Sequence, residues 1–490
     1  MGSYQSRESE SVHANKLYLH AANQPSKAIF PYNLRKNRVI GGGVMLLRFG
    51  VENHKSVRNY QQILLTASSI KDDATRLLQS SDSRVKVVPV AAIYGANASG
   101  KSTLLDALRF MQSVVRFSHT RGDATGGTAY APFALDEVSS TRPSRYDIDL
   151  EFDETRFHYG FIVDGKKVNE EWLFAIPLNK TRKSRQTWFH RTDDGEPIYF
   201  GKELKGENKL IEKIVRANSL FLSAAAQNAH QQLSKIYELI VAKMEVLSTD
   251  SNAVILGSAV AKFFDEHKEL EGDALEFLKV ADTGISNVTY EVIEQDDQTK
   301  NFVTEFRTFL KRHSISALDE ATDFPRRRAS FTHKGVGGKE YRLKLDAESA
   351  GTKAILSAIG PILSALRSGG VLIIDELSNS LHPLMSRKLV GLFGDQKINV
   401  GGAQLVFSTH DTNLLCDGMF RRDQIWFAEK DREGATHFFP LTEIDVDKRD
   451  NLEKGYLNGR FGAIPFFSKP DIKWETTEDL PLLRGEHEDA

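Results

Sequence analysis

Hydrophobic and polar positions change period several times along this chain. "MLLRFGVEN", from Met45, reads as a strand, and "VKVVPVAAIYG" is a nearly continuous β-branched run of the kind buried on both faces of a sheet. That run leads straight into Gly95. The next stretch, "KSTLLDALRFMQSVVRF", carries Leu104, Leu105, Leu108, Met111, Val114 and Val115 at helical spacing. From about Arg145 the period drops to two in "RYDIDLEFD", "RFHYGFIVDG" and "KVNEEWLFAIP", separated by turn residues such as Asp164-Gly165, which predicts an antiparallel β lobe. After "SLFLSAAAQN" the period becomes helical in "QQLSKIYELIVAKM" and again as far as about Asp282, before the strand-like "NVTYEVIEQD". From Tyr341 a strand, an opening turn and helix, the apolar strand "GGVLIIDE", another helix and the strand "QLVFSTHD" follow. There is no internal repeat and no sustained heptad register. The pattern predicts an α/β core with an antiparallel β lobe and a helical insertion.

Composition narrows the class without naming a function. The chain has 490 residues, 40% of them apolar, which suffices for two or three folded units or one large domain with insertions. Lys plus Arg (64) nearly cancel Asp plus Glu (66), so the net charge of -2 lacks the strong bias of a dedicated nucleic-acid coat. The single Cys416 excludes an internal disulfide framework and a Cys-based zinc finger. No run approaches the roughly 18 apolar residues of a membrane helix, and no secretory signal opens the chain. These features predict a soluble, cytoplasmic protein with no membrane partner.

The chemistry begins at "GANASGKS". Gly95, Ala96, Asn97, Ala98, Ser99, Gly100, Lys101 and Ser102 match the phosphate-loop pattern G-x-x-x-x-G-K-[ST], and Thr103 follows. Glycines let backbone N–H groups point into one concavity, Lys101 neutralises phosphate charge, and Ser102 offers a hydroxyl to Mg²⁺. The strand before and the helix after give the motif the context it needs, and ATP with Mg²⁺ is the implied ligand pair. In "VLIIDE", Asp375 and Glu376 close an apolar strand at the end where α/β folds bind ligands. Asp375 suits the metal, and Glu376 suits a general base on water. His410, ending "LVFSTH", is placed to sense the γ-phosphate or the attacking water, and Lys101 completes the expected catalytic set. A further turn, Glu348-Ser349-Ala350-Gly351-Thr352, opens a helix. Ser349 reads as its N-cap, and the free N–H groups of the helix start form an anion site, with Ser349, Gly351 and Thr352 as the expected nucleotide-binding residues. Since the Lys101 loop already cradles phosphates, this second terminus is useful if it reaches the nucleotide of another copy; plain capping is the alternative.

The order P-loop, Ser-x-Gly, hydrophobic-Asp-Glu, His resembles the ABC-type ATPase head. Within that superfamily the chain is most similar to SMC/Rad-like ATPases of the AAA_15/AAA_21 kind in bacterial anti-phage defence, namely the AbiL and RloA type and the PARIS ATPase. The resemblance rests on "FGVENHKSV", "YGANASGKSTLLDAL", "APFALDE", "NEEWLFAIP", "SLFLSAAAQN", "ESAGTKAIL", "DELSNSLHPLM", "STHDTNLL" and "GYLNGRFGAIPFF". It implies a homodimer or higher homo-oligomer through composite ATP sites, an effector such as a nuclease or toxin from a neighbouring gene, and a phage protein as trigger. Its segmentation would be a flexible leader over 1–44, an N-terminal ATPase half over 45–228, a mainly helical insertion over 229–330, a C-terminal ATPase half over 331–440 and an extension over 441–490. Two departures stand out. His382 occupies the place of the transporter Asp, and "APFALDE" lies where a Mg²⁺-linked glutamine is expected. Glu443, Asp445 and Asp447 read as an exposed acidic loop, since a nuclease domain hardly fits the remaining length. Basic clusters at Lys180, Arg182, Lys183 and Arg185 and at Arg326, Arg327 and Arg328 are solvated faces or DNA contacts. A DNA-maintenance ATPase is therefore the alternative function, and a transporter motor a weaker one.

Overall fold

The computed structural model describes residues 43–465 apart from 74–76, 122–125, 181–182, 248–252, 294–325, 417 and 448. The expected leader, Arg182 and the last 25 residues of the expected extension lie outside the described residues, apart from Gly43 and Val44. In chain order the first strands are β1 (Met45–Glu52), β2 (Gln61–Leu64), β3 (Leu78–Gln79), β4 (Lys86–Val87) and β5 (Val90–Tyr94). The long run "VKVVPVAAIY" is thus two strands, not one. Pro89 separates them; it has no N–H for a ladder, and its carbonyl accepts from Leu405 at 2.8 Å.

After helix α1 (Lys101–Phe117) come β6 (Ser144–Phe152), β7 (Thr155–Val163), β8 (Val168–Pro177), β9 (Gln186–Thr192) and the short β10 (Tyr199–Phe200). With β1 and β2 they form one seven-stranded antiparallel sheet, ordered β10-β9-β8-β7-β6-β1-β2. Its inner face, with Phe49, Tyr146, Ile148, Tyr159, Phe161 and Phe189, is apolar because these strands alternate with period two. Helices α2 (Phe221–Gln227) and α3 (Gln231–Val241) join the same core. The buried Glu171 carboxylate caps α2, accepting from Phe221 N at 2.6 Å and Leu222 N at 3.0 Å, which ties "NEEWLFAIP" to "SLFLSAAAQN".

Then follow β11 (Met244–Leu247), α4 (Ala253–Glu266), α5 (Glu271–Val280), β12 (Ile285–Ile293), β13 (Arg326–Lys334), β14 (Glu340–Lys344), α6 (Ala350–Ser368), β15 (Val371–Ile374), α7 (Pro383–Gly394), β16 (Gln404–Ser408), β17 (Ile425–Lys430), β18 (Thr436–Pro440) and α8 (Leu452–Leu457). The central sheet is ordered β11-β15-β16-β5-β17-β18, parallel except for its last pair. Residues of β15 alternate between two cores: Val371 and Ile373 face the antiparallel lobe, Leu372 and Ile374 face α4 to α7. Burial on both faces explains why these strands read as unbroken apolar runs.

Two expected boundaries move. Strand β11 pairs with β15 in the central sheet, and α3 packs in the first core, so residue 229 falls inside the nucleotide-binding half. The segment beyond it also carries β12 and β13, which form a three-stranded sheet with β14. Residues 441–465 are not a separate extension. Tyr456 stacks on Phe427 at 5.6 Å and meets Tyr94 edge-on at 5.8 Å, both in the second core.

One side chain joins the two large sheets. Gln404, fully buried on β16, accepts from Leu46 N at 2.6 Å and donates to Leu46 O at 3.0 Å and Val88 O at 3.2 Å. It satisfies β1 where the β1–β6 register shifts between Leu46 and Arg48. Gln404→Leu leaves these buried backbone groups unpaired and should lower stability by about 2–4 kcal/mol. Urea denaturation is the check: an unchanged midpoint would mean that the sheets are held by other contacts, such as the bond from Phe438 N to Gln61 Oε1 at 2.9 Å.

Candidate functional site

Strands β5, β15 and β16 end side by side, with Val406 opposite Ala91 and Ile373. Their C-terminal ends carry the three predicted motifs. Beyond β5 the loop must turn back into α1, and its glycines are required by packing. A Cβ on Gly95 would lie 2.4 Å from Ala428 O, and one on Gly100, at φ 102°, would lie 2.1 Å from Thr436 Oγ1. Between them Asn97 and Ala98 are exposed, and Ala98 takes φ 62°, an unfavourable conformation of the kind held at binding loops. Ser99 Oγ is buried without a hydrogen-bond partner among the described residues. Lys101 turns back across the loop, donating from Nζ to Gly95 O at 2.9 Å and Ala96 O at 3.0 Å. A glycine loop pressed directly onto its support, with a buried ammonium beneath it, fits a phosphate chain.

Ser102 Oγ donates to Asp375 Oδ1 at 3.1 Å across 273 residues of sequence. A hydroxyl and a carboxylate converging beside a phosphate cradle suit Mg²⁺, which usually takes one or two protein oxygens and completes its shell from phosphates and water. Among the described residues no cluster of three or more His, Cys, Asp or Glu could hold a metal, and Glu443, Asp445 and Asp447 form none. Next to Asp375, Glu376 adopts φ 52° and is exposed, so its side chain leaves the sheet on the side of a cleft of about 330 Å³ that it lines with Ser378, Thr409, His410 and Asp411. Both expected acids are thus at the strand end, one toward Ser102 and the other in the cleft with His410.

Electrostatics follow from crowding. Burial lowers the Lys101 pKa to about 8, opposed by Glu376 and Asp375. Burial, and then the Lys101 charge, lowers the His410 pKa below its ordinary value, so the imidazole is neutral at neutral pH and one ring nitrogen can accept.

The Ser349 turn stands where the sequence predicts. Ser349 Oγ accepts from Thr352 N at 3.1 Å and caps α6. Its surroundings were not legible: Glu348, buried, binds His333 Nε2 at 2.7 Å, and a Cβ on Gly351 would lie 2.9 Å from Ser380 O. Glycine is therefore required here by a contact within the chain.

Several site residues escaped sequence reasoning. Ser56 bridges Thr103 Oγ1 at 3.0 Å and Thr436 Oγ1 at 2.8 Å, and Thr436 also donates to Ser99 O at 2.9 Å, which braces the phosphate loop from behind. Asn53, at φ 53°, holds the "APFALDE" segment by donating to Ser139 O and accepting from Phe133 N at 3.0 Å. Buried His54 joins Asp106 of α1 at 2.9 Å to Tyr146 of β6 at 2.8 Å. The stretch "ENHKS" within "FGVENHKSV" was the available signal, while Thr436 lies in a hairpin without a motif. Of the basic runs, Lys183 pairs with Asp82 at 2.6 Å and Arg327 with Asp265 at 2.8 Å, so both spend their charge inside the chain.

With a pKa of about 8, Lys101 is mostly charged at pH 7 and neutral above pH 9. Binding phosphates favours the charged form, so nucleotide affinity should fall as pH rises through 8, with proton uptake on binding near that pH. Calorimetry in buffers of different ionisation heat reads both; affinity flat from pH 7 to 9.5 would mean that Lys101 does not titrate in this range, and Lys101→Met would then decide its part in binding.

Solved structures offer distant resemblances. An SMC head domain from Thermotoga maritima is 12% identical with a TM-score of 0.36, covering 82% of this chain and 99% of that one. The Smc head domain with an extended coiled coil, bound to the C-terminal domain of ScpA, from Pyrococcus furiosus is 13% identical with a TM-score of 0.35, covering 81% and 96%. Comparison with curated proteins found no match. A family model described as "AAA domain, putative AbiEii toxin, Type IV TA system" matches residues 90–417, more than half of the chain and the whole span from β5 to His410. The chain belongs to this AAA_21 family.

Proposed function

We propose that this chain is an ATP-hydrolysing molecular switch of a bacterial abortive-infection, anti-phage system, dimerising through ATP and controlling a separate effector such as a nuclease. The observation that carries the reading is the meeting of Ser102 and Asp375 at 3.1 Å beside the Lys101 loop, with Glu376 and His410 lining one adjoining cleft. Mg²⁺, held by Ser102 and Asp375, would neutralise phosphate charge as it develops. Lys101 binds the phosphates, Glu376 orients and deprotonates the attacking water, and neutral His410 accepts or donates a hydrogen bond at the same place.

The start of α6 is exposed at Ser349 and Ala350, and a helix terminus suits phosphate oxygens, although the Thr352 N–H is already taken by Ser349 Oγ. We assign Ser349, Gly351 and Thr352 to the nucleotide held by a second copy, so that ATP joins two chains and hydrolysis releases them. The product of such a cycle is a change of assembly, which an effector or a phage protein can read. The family description, which names a "putative AbiEii toxin" and a "Type IV TA system", supports the defence half of the proposal. A DNA-maintenance role is the second reading, and the internal pairing of Lys183 and Arg327 takes support from it.

The test is the solution mass of Glu376→Gln with and without ATP and Mg²⁺, after expression with its native flanking genes. Hydrolysis should fall at least about 100-fold, and ATP should add a whole subunit or retain a neighbour's product. A mass fixed at one chain would overturn the composite site. Hydrolysis by the unaltered protein that rises with DNA, with no protein partner retained, would favour DNA maintenance.

A further inference from the structure

We propose that Ser408 is a positioning residue that sets the Asp375–Glu376 turn for metal-dependent nucleotide binding. The inference rests on the ATP-hydrolysing reading above. Ser408 is the last residue of β16 and is fully buried. Its hydroxyl donates to Asp375 Oδ1 at 2.5 Å and accepts the Glu376 N–H at 2.8 Å, and its carbonyl accepts the Leu377 N–H at 3.1 Å. One side chain therefore touches the carboxylate assigned to the metal and the amide of the assigned general base.

The chemistry of a hydroxyl makes this a constraint. Ser408 has one proton and gives it to Asp375, so it must accept from Glu376. With Ser102 also donating to Oδ1, that oxygen holds two hydroxyl bonds; among the described residues no hydrogen bond falls on Oδ2. Turning the carboxylate away from Ser408 would leave that buried hydroxyl unpaired. Glu376, meanwhile, sits at φ 52°, which a side-chain-bearing residue adopts only when its surroundings impose it. The bond from Ser408 to its amide is one such imposition. The residues beside Ser408, its chain neighbour Phe407 and its strand partner Ile93, are apolar and buried, so packing alone asks for no hydroxyl here.

The experiment uses the full chain and a fluorescent ATP analogue, titrated with Mg²⁺ and separately with EDTA. Ser408→Ala should bind the metal-free analogue as the unaltered protein does, while its Mg²⁺ midpoint rises about tenfold or more, as when a ligand's supporting hydrogen bond is removed. Ser408→Thr, which keeps the hydroxyl, should restore the midpoint. Should the alanine protein fail to fold, Ser408→Cys, with similar bulk and a weak donor, should give an intermediate midpoint. A midpoint unchanged in Ser408→Ala or Ser408→Cys overturns the inference, as does equal loss of metal-free and metal-dependent binding. If the unaltered protein binds the analogue with no response to Mg²⁺, the ATP-hydrolysing reading falls first and takes this inference with it.

Discussion

The site depends on one constraint, that β5, β15 and β16 are buried on both faces and end at one level. Their backbones are satisfied by each other along their length, but at their C-terminal ends the ladder stops. Polar groups that stay buried at the strand ends themselves need partners. Ser408, Thr409 and Asp375 meet that demand, and Lys101 meets it by folding onto the carbonyls of its own loop. Burial lowers the pKa of Lys101, and partial desolvation with the Lys101 charge lowers that of His410, whose side chain is exposed at the cleft.

Much of this was legible because it is local. The phosphate loop, the acid pair and the Ser349 cap each lie within a few consecutive residues, and each has a period or a spacing that local physics requires. The antiparallel lobe was legible for the same reason, since alternation in β6 to β8 is a property of single strands. What was missed is what only tertiary contact decides. Nothing in the sequence near Gln404 marks it as the residue that joins β16 to β1, and nothing around Thr436 connects it to Ser99. The boundary at residue 229 was misplaced because helical periodicity in α3 is the same whether its apolar face meets α1 or a separate domain.

The behaviour of the basic runs makes a related point. Lys183 and Arg327 look alike in sequence to cations that would meet phosphate, yet both are committed to carboxylates on other elements. Burial decides such cases more than composition does. A side chain of Arg327 that is largely shielded, beside Asp265 and Glu266, serves to dock β13 onto α4.

The close approach of Gly351 to Ser380 has a mechanical meaning. With no side chain between them, the first turn of α6 rests directly on the loop that continues from Glu376, and Ser380 itself is held at φ 63°. Packed atoms transmit displacement as gears do, without slack. The start of α6 and the segment that carries Glu376 are therefore set together, and neither can move toward the other without displacing it.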